Sequence, residues 1–249
     1  TGINQKLVDI KILYVEVDSS VYFNSSQVTN VDNLKTNVTN SLQSYSDSVD
    51  LSKFGGRFKY SKVLNVIDDV DRSITSNITR VRIRRNLRAL VNQEAQYELC
   101  FGNRFHVNAG GFNIKSTGFK IINEPDVVYL TDIPNADGRT GVLSIVKPIR
   151  ETGENRVVVK SAGLVDYIKG EVILTTVLIT STVLADDIIE VQAFPESNDV
   201  VGLKDLYLEF DVSKSTINMI KDTISSGEKI SGVGFKVTSS YSNGELTRG

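Results

Sequence analysis

Five arginines fall within nine residues, Arg80, Arg82, Arg84, Arg85 and Arg88. A guanidinium is a planar fork that matches a carboxylate or a phosphate with two parallel hydrogen bonds. Arg80, Arg82 and Arg84 alternate with Val81 and Ile83. A half-buried strand therefore puts three of the five on one face, as a charged ladder. Such a ladder grips nucleic-acid phosphates or the carboxylates of a partner protein. No aromatic side chain interleaves the arginines, the acidic Asp68, Asp69 and Asp71 precede them, and the chain carries a net charge of −2. These features favour a protein contact over nucleic acid, and no nucleic-acid partner is expected.

The other reactive side chains are sparse. One cysteine, Cys100, rules out an intrachain disulfide, and one histidine, His106, leaves too few soft ligands for a Cys/His zinc site. If those two shared a strand they would stand roughly 20 Å apart, too far for proton transfer. Asp68, Asp69 and Asp71, and separately Asp186, Asp187 and Glu190, offer oxygen ligands to a hard cation, but neither group has a calcium-loop pattern. Both read as solvated carboxylates. The glycines at 55–56, 110–111 and 232 and 234 lack the spacing that cradles phosphate and read as turns. Thirty acidic residues permit many carboxylate pairs of the glycosidase kind, and the sequence singles out none. No catalytic residue, metal or cofactor is assigned, and the chain is expected not to be an enzyme.

The elements that position these residues follow from periodicity. The 249 residues (27.4 kDa), 40% hydrophobic and 23% charged, suit one large domain or two smaller ones. Residues 7–23 read as a strand buried over much of both faces. Val31, Leu34, Val38, Leu42 and Tyr45 then step by three and four, which predicts an amphipathic helix. Gly55 and Gly56 break the chain before a second helix carrying Tyr60, Val63, Leu64, Ile67 and Val70. Residues 78–86 return as the arginine strand. The expected fold is α+β, with a strand-helix-helix-strand module over residues 1–94. A β-rich sandwich or meander follows over residues 95–249, its short runs separated by turn residues. Ser213 is placed to cap a short C-terminal helix near 213–226 carrying Ile217, Ile220 and Ile224, with Gly227 to end it and a last strand over 232–239. The most apolar run, 172–185, is interrupted by Thr175, Thr176, Thr180, Ser181 and Thr182 and reads as sheet, so no membrane insertion is expected. The chain opens on Thr1 without a leader pattern, which suggests a fragment or a processed chain.

Several extended strings carry a resemblance. VDLSKFGGRFKYSKVLNVIDDVD at residues 49–71, followed by ITRVRIRRNL at 78–87, resembles the baseplate wedge proteins of T-even-type contractile-tailed bacteriophages, and more loosely the baseplate J-like family. AGLVDYIKGEVIL at 162–174 and TSTVLADDIIEVQAFPESNDV at 180–200 are similar to the same wedge proteins. The resemblance implies a structural role: the carboxy-terminal part of a wedge subunit that forms a homodimer and helps build the ring around the central hub. It implies other baseplate wedge proteins as partners, a place in the virion tail baseplate, and assembly in the host cytoplasm. It carries over no catalytic residue.

A ring subunit needs contact surfaces, and symmetric self-association uses one patch twice. The expected surfaces are the ladder of Arg80, Arg82, Arg84, Arg85 and Arg88 and the segment from residue 217 to 241, with Ile217, Ile220 and Ile224. Two other readings stand beside this one. A β-rich receptor- or glycan-binding module would need exposed aromatics, and the chain has nine Tyr, ten Phe and no Trp. A hydrolase would need a pair of carboxylates in a cleft.

Overall fold

The structure is a computed structural model and describes residues 11–48, 51–149 and 152–223. The described residues are mostly β, 51% strand and 12% helix, with two helices among them, extended sheets and a small barrel. In chain order the first elements are β1 (Ile12–Phe23), α1 (Val31–Ser46), β2 (Arg57–Phe58), α2 (Tyr60–Asp68), β3 (Ile74–Arg88) and β4 (Glu94–Cys100). Next come β5 (Lys115–Ser116), β6 (Phe119–Ile121), β7 (Glu124–Pro134), β8 (Thr140–Pro148), β9 (Asn155–Asp166) and β10 (Glu171–Thr182). The last are β11 (Ile188–Ala193), β12 (Val200–Val201), β13 (Tyr207–Phe210) and β14 (Thr216–Lys221).

One sheet is built around β1 and β3, which run antiparallel with Val15 opposite Ile83 and Val17 opposite Val81. Those residues, with Leu13 and Val21, are buried and share a core with Val38 and Leu42 of α1 and Val63 and Ile67 of α2. The i, i+4 spacing of each helical pair puts both side chains on one face, and burying each is worth about 1.5–3 kcal/mol. Asn30 starts α1 by accepting a hydrogen bond from the Asn33 N–H at 3.1 Å. β11 pairs with β3, and β5 with β11. On the opposite edge β13 and β14 both lie parallel to β1. The sheet thus draws on chain from both sides of residue 94.

The C-terminal helix expected near 213–226 is not formed over its described part. Residues 216–221 are β14, with Ile217 opposite Ser19 and Ile220 opposite Tyr22 of β1. Thr216, Ile217 and Ile220 are β-branched and fit a pleated surface better than a helix, and Ile217 and Met219 share the side that faces the helices. Ser213 caps nothing. Its hydroxyl hydrogen-bonds the Asp211 carboxylate at 2.6 Å, inside the turn that separates β13 from β14. Ile224, Gly227 and the strand expected over 232–239 lie outside the described residues.

Of the sandwich and the meander expected, the β-rich part follows the meander, and it closes on itself. β6, β7, β8, β9 and β10 are antiparallel neighbours in sequence order, and β10 pairs back onto β6 through Ile179 and Ile121, which makes the small barrel. β4 adds to β10. Phe119, Val128, Leu130, Leu143, Ile145, Val165 and Val172 are among the buried side chains of this part. At the β9–β10 seam a Cβ on Gly163 would stand 1.9 Å from the Ile173 carbonyl oxygen, so only glycine lets these backbones close.

Candidate interface and its charged core

The β1–β3 register decides where the arginines point. Arg80, Arg82 and Arg84 stand opposite Asp18, Glu16 and Tyr14, on the side of the sheet away from the helices. Arg85 falls on the opposite side, beside Val191 of β11. Arg80 and Arg82 are half-buried, Arg88 is exposed, and Arg84 and Arg85 are buried. Ile217 is buried under the helices and Ile220 is half-buried on the outer side. The expected contact residues therefore divide into an outer group and an inner one.

Arg84 is the centre of the inner group. Its Nε donates to Glu16 Oε1 at 2.6 Å and its Nη2 to Asp211 Oδ2 at 2.6 Å. Nη1 reaches Asn86 Oδ1 at 2.5 Å and lies 3.2 Å from Glu190 Oε1. The guanidinium carbon sits 4.0 Å from the centroid of the Tyr14 ring, a cation–π contact. Lys214 pairs with Glu190, and the Gln192 amide donates to Glu16 Oε2 at 3.2 Å. Burial, then the negative charge of Asp211, pushes the Glu209 carboxyl above its ordinary range, against the pull of Arg84. Burial above all raises the Tyr14 phenol.

This network is a clamp. Asp211 and Lys214 belong to the turn between β13 and β14, and Arg84, Glu16 and Glu190 come from the three strands beside it. In the gap between β13 and β14 the Val17 N–H donates to Ser215 Oγ at 3.0 Å, and Asp211 N–H to the Val15 carbonyl at 2.8 Å. An open cleft of about 630 Å³ runs beside residues 212–218, with Lys35, Arg82 and Glu190 in its walls. Its side chains hold and pair charge, and no activated nucleophile is among them.

Sequence reasoning missed most of this network. Glu16, Asp211 and Lys214 lie far from Arg84 in the chain, and the only local signal was a glutamate inside an apolar strand. It also missed a second buried group. Asp132 of β7 accepts from the Ile114 N–H at 2.7 Å, from the Asn113 amide at 2.8 Å and from the Tyr167 hydroxyl. Burial raises the Asp132 carboxyl, and the three donors hold it partly down. Tyr167, buried against that carboxylate, has its phenol pushed far up and stays a donor.

The remaining candidates have structural partners. Asp68 accepts from Asn77 at 2.7 Å, and Asp71 accepts from the Ser73 N–H at 2.8 Å, a bond that holds its carboxyl below the usual range. Asp186 and Asp187 make a tight turn at φ 59° and 56°, while Glu190 of the same sequence cluster joins Arg84 and Lys214. Among the described residues no group of three His, Cys, Asp or Glu side chains is placed to hold a metal ion. Cys100 ends β4, where burial raises its thiol, whereas His106 follows the isolated bridge of Phe105 to Pro195 and donates its backbone N–H to the Phe194 carbonyl. No hydrogen bond joins the two. No helix among the described residues is long and apolar enough to cross a membrane.

A comparison of the chain with curated proteins gives no match. Residues 11–86, which run from the start of β1 almost to the end of β3 and hold Glu16, Arg80, Arg82, Arg84 and Arg85, match the family model described as "Baseplate structural protein gp6, C-terminal domain III". The match covers just under a third of the 249 residues and supports a structural role in a phage baseplate.

Proposed function

We propose that this chain is a non-enzymatic structural subunit of the wedge of a phage tail baseplate, which dimerises and helps form the ring around the central hub. The observation that carries the reading is the match of residues 11–86 to a baseplate structural domain. In this reading the chain works in the virion tail after assembly in the host cytoplasm, and its partners are a second copy of itself and other wedge proteins. The charged clamp suits the role, because it fixes β13, β14 and the turn between them against the sheet whose outer side meets partners.

The outer side carries the contact surface. In register across β14, β1 and β3 it presents Ile220 and Ser76 on either side of the buried Tyr22, then Asn218, Ser20 and Ile78, then Arg80 and Arg82. Ile78 is 36% exposed, and the arginines beside it add forks for carboxylates. Arg84, Arg85 and Ile217 support this surface from inside. Light scattering across a range of concentrations tests the dimer. The expected mass is twice that of the chain at tens of micromolar, and Ile78→Asp with Ile220→Asp should weaken the dimer by about tenfold or more. A monomer throughout that range would refute the self-association.

A further inference from the structure

A second surface lies on the helical side of the molecule. Between the end of α1 and the start of α2 is a cleft of about 680 Å³, lined by Tyr45 and Val66 and by the cations Lys53, Arg57, Lys59 and Lys62. Arg57 and Lys59 flank the fully buried Phe58, and β2 is held by its pairing with β12, so the alternation of the strand turns both cations outward from a fixed backbone. Among the described residues no acidic side chain forms an ion pair with Arg57, Lys59 or Lys62. The nearby Asp199 is engaged by the Tyr60 N–H at 2.8 Å.

Folding does not account for these charges. α2 has no acidic residue in its first turn and no side-chain cap, and Lys59 and Lys62 stand at the end where the helix dipole disfavours a cation. Its other end closes on Asp68 and the C-cap Asp69, again the sign that the dipole disfavours. A cationic cluster that costs the helix stability, and in which Arg57, Lys59 and Lys62 form no ion pair among the described residues, fits an external counter-charge.

We propose that this cleft receives an acidic segment of another protein, with an apolar side chain of that segment against Tyr45 and Val66 and its carboxylates on Arg57, Lys59 and Lys62. The apolar lining distinguishes this occupant from a free inorganic anion, which would gain nothing from it. The cations are gathered around one cleft instead of forming a stripe, and the whole chain is slightly acidic, which sets it apart from a nucleic-acid track. The proposal stands apart from the dimer surface, which uses the other side of the sheet.

The test is fluorescence anisotropy on the full chain with a short labelled peptide carrying several glutamates around a central leucine and phenylalanine. Saturable binding is expected, weakened by about tenfold or more when glutamine replaces the glutamates, and by a similar factor in the Arg57→Glu, Lys62→Glu double variant. Both positions are exposed, so an unchanged denaturation midpoint should accompany the loss. Lys62→Gln alone, expected to weaken binding severalfold, supplies the answer if the double variant misfolds. Absent binding, equal binding of the glutamine peptide, affinity indifferent to both variants, or a duplex DNA that binds tighter than the peptide through the same residues would each overturn the proposal.

Discussion

Replacing Arg84 by methionine is expected to lower the free energy of unfolding by about 3–5 kcal/mol, the cost of leaving a buried ion-pair network without its central partner. Methionine keeps much of the volume and loses the fork. Glu16 and Glu190 are almost completely buried, and Asp211 is 12% exposed. Without the guanidinium Glu16, Glu190 and Asp211 lose the cation they share, and the turn between β13 and β14 loses its tie to β3. Arg84→Lys should fall between, because an ammonium keeps the charge but lacks the planar fork whose fixed in-plane donors reach Glu16 and Asp211 together. Arg85 gives the control. It is buried by a similar amount, yet its Nε has no partner and Nη1 makes one bond, to the Cys100 carbonyl at 3.1 Å. Burial already pulls its guanidinium down. Arg85→Met is therefore expected to change stability by about 1 kcal/mol or less, since removing a poorly paired buried cation also removes its desolvation cost. Urea unfolding of the variants measures both, and equal losses at the two positions would contradict the clamp.

The second large effect is expected at Asp132. Asp132→Ala leaves the Ile114 N–H, the Asn113 amide and the Tyr167 hydroxyl without their shared acceptor in a buried site, at about 1–3 kcal/mol each before water enters. A net loss of about 3 kcal/mol follows, partly offset because a buried carboxylate goes with it. The pH dependence has a definite sign. The folded Asp132 carboxyl is raised above its ordinary 3.8, so the native state binds this proton more tightly than the unfolded chain. Its contribution is present in full below the ordinary value and is lost as pH rises through the raised one. Stability of the wild type relative to Asp132→Asn should therefore fall as pH rises from about 4, then level off. Paired urea melts of the two proteins across the acid range give that curve, and a relative stability that rises with pH would contradict the assignment.

What could be read beforehand follows from the range of each interaction. The two helices were legible because Leu34, Val38, Leu42, Val63 and Ile67 make a stripe within a few turns, and the arginine strand because Val81 and Ile83 alternate with charge. Residues 216–221 misled because isoleucines three apart satisfy a helical stripe, while the partner that made them a strand lay about two hundred residues away in β1. The barrel was legible as short strands and turns but not as a closed ring, since closure depends on β10 finding β6 and β9. The charged core was hidden for the same reason: Glu16, Arg84, Glu190 and Asp211 are neighbours only after β1, β3, β11 and the β13–β14 turn are in place. The ladder of five arginines looked uniform in sequence; the register set Arg85 on the other side from Arg80, Arg82 and Arg84, and burial then separated Arg84, which holds the sheet, from the more exposed Arg80 and Arg82. The basic cleft was present in SKFGGRFKYSK all along, but its lysines and arginine were scattered among turn and core positions and made no pattern until Phe58 turned inward.

The most direct test of the account is to locate the chain in a tail. Purified phage tails bearing this protein, decorated with a gold-labelled antibody against it and viewed by electron microscopy, should carry label at the baseplate end, arranged around the central axis. Label along the tail tube or sheath, or tails complete in every other component with no label at the baseplate, would contradict a structural role there.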